Sequence, residues 1–173
     1  SGEPIRFALA KLTPNRDGIP PVVEGDNVRT FNFCGAGIKP APGFTNDHGD
    51  QFSETRGYGW ERDLRSNHRR RNSLAGIARD TFLFPRKRDR WDCDVPNGRY
   101  RVTICVGDSG HPQFKQRVAV EGEVLIDAAT TAAGEFVEAT RDVAIDDGRL
   151  TVEIGSAAPQ SNTCVNWLRI EPL

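Results

Sequence analysis

The sequence predicts an all-β protein, an antiparallel β-sandwich of the jelly-roll type. Short segments repeatedly alternate apolar and polar residues, which is the period of a half-buried strand. Turn-forming residues separate them, with 17 glycines and 11 prolines among 173 residues. Helix-forming residues nowhere hold a helical repeat, so no helix is required. Several short strands with regular turns favour a sandwich or jelly roll.

Nine strands are predicted along the chain. In order they are Thr30–Cys34, Asp80–Phe84, Arg90–Val95, Arg99–Val106, Gln116–Val120, Val124–Asp127, Phe136–Ile145, Leu150–Ile154 and Val165–Ile170. The clearest alternation places Tyr100, Val102 and Ile104 on one face of the fourth strand. The first and last core strands are expected to pair.

The domain organisation follows from where the strand pattern begins. Residues 28–173 are expected to form the β-sandwich, and residues 1–27, which several prolines and glycines interrupt, an appendage or linker. Residues 35–78 are a long irregular stretch, which in a compact domain is usually functional or contains small elements of its own.

The four cysteines suggest an oxidising compartment. Cys34, Cys93, Cys105 and Cys164 contain no pair at zinc-site spacing. An even count in a turn-rich chain favours disulfides and a secreted or cell-surface protein, although buried free thiols are the alternative. Pairing of the first and last strands would bring Cys34 near Cys164. Cys93 and Cys105 flank the Asn97-Gly98 turn, which is expected to join neighbouring strands. No apolar run is long enough to span a membrane.

The net charge of −1 conceals a basic segment between residues 56 and 90. Its cations are nearly all arginine, which binds carboxylates, sulfates and phosphates through paired hydrogen bonds. Three interpretations remain open: a solvated loop whose arginines pair with nearby acids, an anion-binding face, or a nucleic-acid site. Nucleic acid is the weakest, because the domain as a whole is not basic and few aromatic residues interleave the segment.

The Gly107-Asp108-Ser109-Gly110 motif resembles the surroundings of serine nucleophiles. A serine nucleophile needs a histidine that a carboxylate orients. The three histidines, His48, His68 and His111, stand in none of the sequence contexts that serve such enzymes. The motif is therefore expected to turn the chain, and an esterase is the least favoured function.

Oxygen-bearing residues on a glycine-containing loop suggest a calcium site. Asp47, Asp50 and Glu54 supply the carboxylates that Ca²⁺ prefers. Their spacing differs from that of an EF-hand, and a solvated polar loop is the alternative.

Aromatic residues in the same stretch suggest a sugar platform. Tyr58 and Trp60 lie in the irregular segment, whereas the alternation around Trp91 favours core packing. For Trp60 two interpretations remain open, a stacking platform for a sugar ring or a core residue beneath the loop.

Several motifs together resemble galactose-binding-like β-sandwich domains, a group similar to malectin and to family 35 carbohydrate-binding modules. Such domains are attached to bacterial polysaccharide lyases and rhamnogalacturonan acetylesterases. The motifs are F-N-F-C-G-A-G, A-P-G-F-T, E-T-R-G-Y-G-W, D-T-F-L-F, D-V-P-N-G-R-Y-R-V-T-I-C-V-G-D and C-V-N-W-L-R-I-E, spread over residues 28–173.

The resemblance implies a non-catalytic glycan-binding module whose ligand lies on loops at one end. Its expected partners are a polysaccharide and the flanking domains of a larger secreted protein. By position it places Tyr58, Trp60, Asp108 and Asn166 near those loops. Arg62, His68, Arg70 and His111 complete the candidate ligand-binding set. The arginines favour an acidic or sulfated polysaccharide. A structural or protein-interaction module with the same fold and no sugar site is the rival hypothesis.

Overall fold

A computed structural model describes Gly25 and residues 27–173, and the predicted appendage at 1–27 lies almost entirely outside them. The described residues form twelve strands and one four-residue helix. The strands are β1 Arg29–Phe33, β2 Thr45–Asp47, β3 Tyr58–Trp60, β4 His68–Arg70, β5 Thr81–Leu83, β6 Asp89–Asp94, β7 Gly98–Gly107, β8 Gln113–Val120, β9 Glu123–Thr131, β10 Phe136–Ile145, β11 Arg149–Ile154 and β12 Val165–Pro172. The helix, α1, is Ile77–Asp80.

The strands form two sheets, which confirms the predicted β-sandwich. One sheet has the order β10-β7-β12-β1-β2, with β5 on β12 and β4 on β5; the other has the order β3-β6-β11-β8-β9. As predicted, the first and last core strands pair antiparallel, with Phe31 opposite Leu168. The pairing of β1 with β2 is parallel, so the sandwich is not antiparallel throughout.

The core lies between the two sheets and follows from the alternation of the long strands. Val102 and Ile104 of β7 are fully buried, as are Leu150 and Val152 of β11. Aromatic rings fill one end, where the Phe31 ring meets that of Trp91 nearly edge-on at 5.0 Å between centroids. This geometry is the favoured arrangement of aromatic pairs.

The connection between β6 and β7 differs from expectation. The Asn97-Gly98 turn was predicted to join neighbouring strands, but β6 belongs to one sheet and β7 to the other. The connection therefore crosses the sandwich as an arch. Cys93 lies in the main core, whereas Cys105 packs beside Trp167 in a separate cluster near α1.

The predicted disulfides are absent, since all four cysteines are free and buried. The Cys34 sulfur lies 3.7 Å from His48 Nδ1, while Cys164 packs against Phe82 and Phe84. The two cysteines thus have different neighbours although their strands pair. The structure agrees with the alternative interpretation of the sequence, in which the cysteines are buried free thiols.

The long stretch at 35–78 is built of small elements, as one of its two interpretations expected. It contains β2, β3 and β4 and leads into α1. Within the described residues, no helix is long and apolar enough to cross a membrane.

Candidate functional site

Trp60, in the 35–78 stretch, contacts the buried carboxylate of Asp47 and does not form a platform for a ligand. Asp47 accepts hydrogen bonds from Trp60 Nε1 at 3.0 Å, from Trp91 Nε1 at 2.8 Å and from the Gly49 amide at 2.8 Å. Trp60 is 0% exposed, so the expectation of a sugar-stacking Trp60 is corrected to its alternative, a core residue. Burial raises the pKa of the Asp47 carboxyl despite these three donors.

The residues proposed for calcium do not form a cluster. Both carboxylate oxygens of Asp47 already accept N–H donors, and Asp50 lies 3.8 Å from the Arg65 guanidinium. No group of three or more His, Cys, Asp or Glu side chains among the described residues is placed to hold a metal ion. Glu54 is exposed. The carboxylates Asp47, Asp50 and Glu54 therefore do not supply the convergent oxygens that calcium requires.

Tyr58 is half-buried at the edge of the aromatic core. Its ring lies 4.8 Å from that of Phe31, and the guanidinium groups of Arg29 and Arg56 lie over it. Burial is the main cause that raises the pKa of its hydroxyl. With these neighbours, Tyr58 packs the end of the sandwich and keeps only part of its ring accessible.

Asn166 is buried between strands and holds them together. Its side-chain amide donates to the carbonyls of Thr81 at 3.0 Å and Gly107 at 3.1 Å. Because both donors of the Asn166 amide are used and the residue is 0% exposed, it cannot contact a ligand directly in this conformation. The position implied by the resemblance is thus a structural one.

Asp108 is another buried carboxylate, and it lies beneath an open surface. Arg71 donates to it through Nε at 2.8 Å and Nη2 at 2.6 Å, and the Gly110 amide and the Gln113 side chain each donate at 2.9 Å. Burial alone would raise the pKa of the Asp108 carboxyl, but these donors lower it below its usual value. Asp108 thereby fixes both Arg71 and Gln113.

A cleft of about 220 Å³ opens above this pair, and we call it the basic cleft. Its lining residues are Arg69, Arg71, Phe82, Phe84, Arg86, Gln113 and Asn162. Three guanidinium groups thus share one small space, and the lining residues include no acid. A cleft of this size admits one sugar ring or one anionic group, since sites for drug-sized ligands begin near 300 Å³.

Strand β4 and the aromatic floor position these arginines. Arg69 lies in β4, and Arg71 directly follows the last residue of β4, where its amide donates to the Asp80 carbonyl at 3.0 Å. A spacing of two residues places both side chains on the same side of an extended chain. The Arg71 guanidinium stacks 5.3 Å from the Phe82 ring, and those of Arg69 and Arg86 lie 5.0 Å and 5.3 Å from the Phe84 ring. Stacking on an aromatic face holds a guanidinium in place without neutralising it.

Most other arginines of the basic segment are paired with acids, as the solvated-loop interpretation expected. The ion pairs are Arg62–Asp89, Arg65–Asp63, Arg70–Asp80, Arg79–Glu138, Arg88–Glu153 and Arg90–Asp92. Arg69 and Arg86 make no ion pair with any residue that the structure describes. Of the four cations of the segment without an ion pair among the described residues, Arg69 and Arg86 meet at the basic cleft, while Arg56 and Lys87 do not line it.

The remaining predicted site residues do not line the basic cleft. Arg62 forms an ion pair with Asp89, and Arg70 forms one with Asp80. His68 is packed so closely against Gly35 that a Cβ at Gly35 would lie 2.4 Å from the imidazole, and His111 is exposed. The Ser109 hydroxyl lies 2.7 Å from that of Ser73, and its neighbour Asp108 holds an arginine and not a histidine.

The arginines selected from the sequence differ from those that line the basic cleft. Sequence reasoning selected Arg62 and Arg70 and passed over Arg69, Arg71 and Arg86, because a run of arginines does not show which members face an acid. Gln113 and Asn162 come from distant segments and carry no local signal. One usable signal was the two-residue spacing of Arg69 and Arg71, which in a strand selects a common face.

Sequence comparison gives one relative and no matching family. No protein-family model matches the chain. Over 131 residues, 74% of this chain, it is 28% identical to β-agarase A of Zobellia galactanivorans. The chain spans about a quarter, 24%, of that protein's length.

Structural comparison gives similar domains within larger chains. The YxiM protein of Bacillus subtilis matches with a TM-score of 0.65 at 22% identity, over 85% of this chain and 40% of that one. A β-glucuronidase of Bacteroides uniformis matches at 0.59 with 11% identity (84% and 18% covered), and the plant receptor-like kinase FER at 0.58 with 13% identity (85% and 42% covered). At these identities the likeness is one of fold, and it agrees with the predicted β-sandwich.

Proposed function

We propose that this protein is a non-catalytic module that binds an anionic glycan in the basic cleft. The observation that carries the proposal is the convergence of Arg69, Arg71 and Arg86 on one cleft. Among the described residues the one acid that pairs with these arginines is Asp108, which already accepts hydrogen bonds from Arg71, Gly110 and Gln113. Like charges held together repel one another unless an anion is bound. A ligand carboxylate or sulfate relieves that repulsion.

The setting of the module supports a carbohydrate ligand. The chain matches only 24% of a β-agarase and folds like 18% of a β-glucuronidase, so in both relatives a similar domain accompanies much additional chain. Both names describe enzymes that act on carbohydrate. We infer that this domain belongs to a larger secreted or cell-surface protein, where it holds that protein on its polysaccharide.

Affinity electrophoresis tests the proposal with charge-matched variants. The double variant Arg69→Gln/Arg86→Gln removes two cleft charges, while Arg65→Gln/Arg88→Gln removes two exposed charges outside the cleft. Retardation by an anionic polysaccharide should weaken about tenfold or more in the first variant only, because charge-assisted hydrogen bonds contribute about 1.5–3 kcal/mol. An equal loss of retardation in both variants would mean that binding depends on the net charge of the protein and not on the basic cleft.

Two further outcomes would overturn the proposal. One is equal retardation by a neutral glucan. The other is preferential binding of duplex DNA over the anionic polysaccharide at the same salt concentration, which would assign the cleft to nucleic acid. Absence of binding across a glycan array would favour the structural or protein-interaction module instead.

The esterase hypothesis has its own test. In the described residues, no histidine accepts a hydrogen bond from the Ser109 hydroxyl, so a Ser109→Ala variant should hydrolyse model esters at the same background rate as the unchanged protein. A Ser109-dependent activity would contradict the non-catalytic role.

A further inference from the structure

We propose that the basic cleft selects a sulfate ester over a carboxylate, an inference that rests on the proposed function and refines its ligand class. The cleft presents three guanidinium groups, from Arg69, Arg71 and Arg86, to a space that holds a single anionic group. The two anions differ in how many acceptor oxygens they offer to these donors, and this difference matters more than their charge.

A carboxylate has two oxygens in one plane, and its roughly four acceptor positions lie near that plane. Asp108 shows such a set, since Arg71 engages both oxygens through Nε and Nη2 while the Gly110 amide and the Gln113 side chain add one donor each. Guanidinium groups that approach from outside that plane are poorly aligned with these acceptor positions. A sulfate ester has three terminal oxygens arranged tetrahedrally, so donors arriving from three directions can each reach a separate oxygen.

Each of the three arginines retains N–H donors that can bind the oxygens of a sulfate ester. Arg71 uses Nε and Nη2 on Asp108, which leaves Nη1. Arg69 donates through Nη1 to the His68 carbonyl and is otherwise free of acceptors among the described residues. Arg86 is held by stacking on Phe84 alone, so its full set of N–H groups remains available.

Asn162 supplies an acceptor at the edge of the cleft. Its side-chain nitrogen donates to Gln113 Oε1 at 3.1 Å, and Gln113 is itself held by Asp108. This chain of bonds fixes which way the Asn162 amide points and leaves its Oδ1 without a donor in the described part of the protein. A hydroxyl of the same sugar ring can donate to that oxygen, so the ligand is a sulfated sugar that retains a free hydroxyl.

Matched derivatives of one backbone test the inference. Dextran sulfate and carboxymethyl dextran, substituted to equal charge density, would be compared with unmodified dextran by calorimetry at 150 mM salt. We expect about tenfold tighter binding of the sulfated polymer, because its third oxygen accepts an additional charge-assisted hydrogen bond. The preference should disappear in Arg69→Gln/Arg86→Gln and persist in Arg65→Gln/Arg88→Gln.

The outcomes separate this inference from the proposed function. Equal affinity for the two derivatives, with loss of both in the cleft variant, would overturn the sulfate preference and leave an anionic-glycan site. Tighter binding of the carboxymethyl polymer would overturn it as well. Failure of both polymers to bind would remove the proposed function itself. Competition by free sulfate as strong as that by the polymer would show that the sugar makes no contact, and would overturn the role of Asn162.

Discussion

Asp47 and Asp108 are both buried but have different roles, and the donors around them account for the difference. Asp47 binds two indole N–H groups and one amide and therefore organises a dry aromatic core. Asp108 binds a guanidinium that reaches the surface, so its charge positions a side chain that solvent and ligands can contact. The sequence shows both as single aspartates in glycine-containing segments, and their partners come from distant strands. Their roles were therefore not predictable from local motifs.

At Trp60 the prediction concerns stability. Trp60→Ala should lower the free energy of unfolding by about 3–5 kcal/mol, because truncating a buried tryptophan leaves a cavity. Phe114, which is 50% exposed, provides the control, and Phe114→Ala should change stability by no more than about 0.5 kcal/mol. Urea denaturation measures both. A stable Trp60→Ala variant that has lost glycan binding would restore the stacking role.

At Asp108 the prediction includes a pH dependence. Asp108→Asn should cost about 3 kcal/mol at neutral pH, the low end of the range for broken buried ion pairs, because Arg71 stays partly exposed. The folded pKa of Asp108 is lowered, so its contribution is present above the ordinary carboxyl pKa of 3.8 and is lost as pH falls through the folded value.

The stability difference between the unchanged protein and Asp108→Asn should therefore shrink below about pH 4. Denaturation at pH 7 and at pH 3.5 measures this change. The control is Asp63→Asn, which breaks the exposed pair with Arg65 and should have a much smaller effect. If the stability difference between the unchanged protein and Asp108→Asn grew on acidification, the lowered pKa assigned to Asp108 would be contradicted.

At the scale of elements, strands with strong alternation were predicted well and connections were not. The segment Phe136–Ile145 was predicted with its observed bounds, and Leu150–Ile154 differs from β11 by one residue. The arch between β6 and β7 was missed because a Pro-Asn-Gly turn fits a hairpin equally well, and only pairing with other strands decides the sheet. That error also misplaced Cys93 relative to Cys105.

Close packing of β3 against the loop before it gives an element-scale prediction. Gly59 has φ +145°, and a Cβ there would lie 2.7 Å from the Phe52 Cα. Gly59→Ala should destabilise the protein by about 3 kcal/mol or more, from the sum of backbone strain and overpacking. Gly122→Ala is the matched control, because φ is also positive (+77°) but no atom lies within 4 Å, and about 1 kcal/mol is expected. Equal melting temperatures for the two variants would contradict this account of β3.

At the scale of the whole molecule, the cysteines predict a pattern of chemical reactivity. All four thiols are buried, and burial raises the pKa of Cys34 to about 12 and that of Cys93 to about 11, with Cys105 and Cys164 raised as well. Native protein at pH 8 should resist iodoacetamide, and denaturation without reductant should give four alkylated cysteines by mass spectrometry. Fewer than four would indicate a disulfide.

The distribution of charge over the molecule leads to the central claim. Acids neutralise most of the basic segment. Two of its cations that have no ion pair among the described residues, Arg69 and Arg86, meet at one cleft beside Arg71. The fold was predictable because strand periodicity is local. The site was not, because its arginines, Gln113 and Asn162 meet only after both sheets have formed.

The most direct measurement is a nuclear magnetic resonance titration of the arginine Nε–Hε signals with a sulfated oligosaccharide. Arg69, Arg71 and Arg86 should shift on binding, together with the side-chain amides of Gln113 and Asn162. The paired Arg62 and Arg70 should stay unchanged. Shifts that centre on Tyr58 or on Arg62, with the cleft arginines unmoved, would contradict the assignment of the basic cleft as the glycan site.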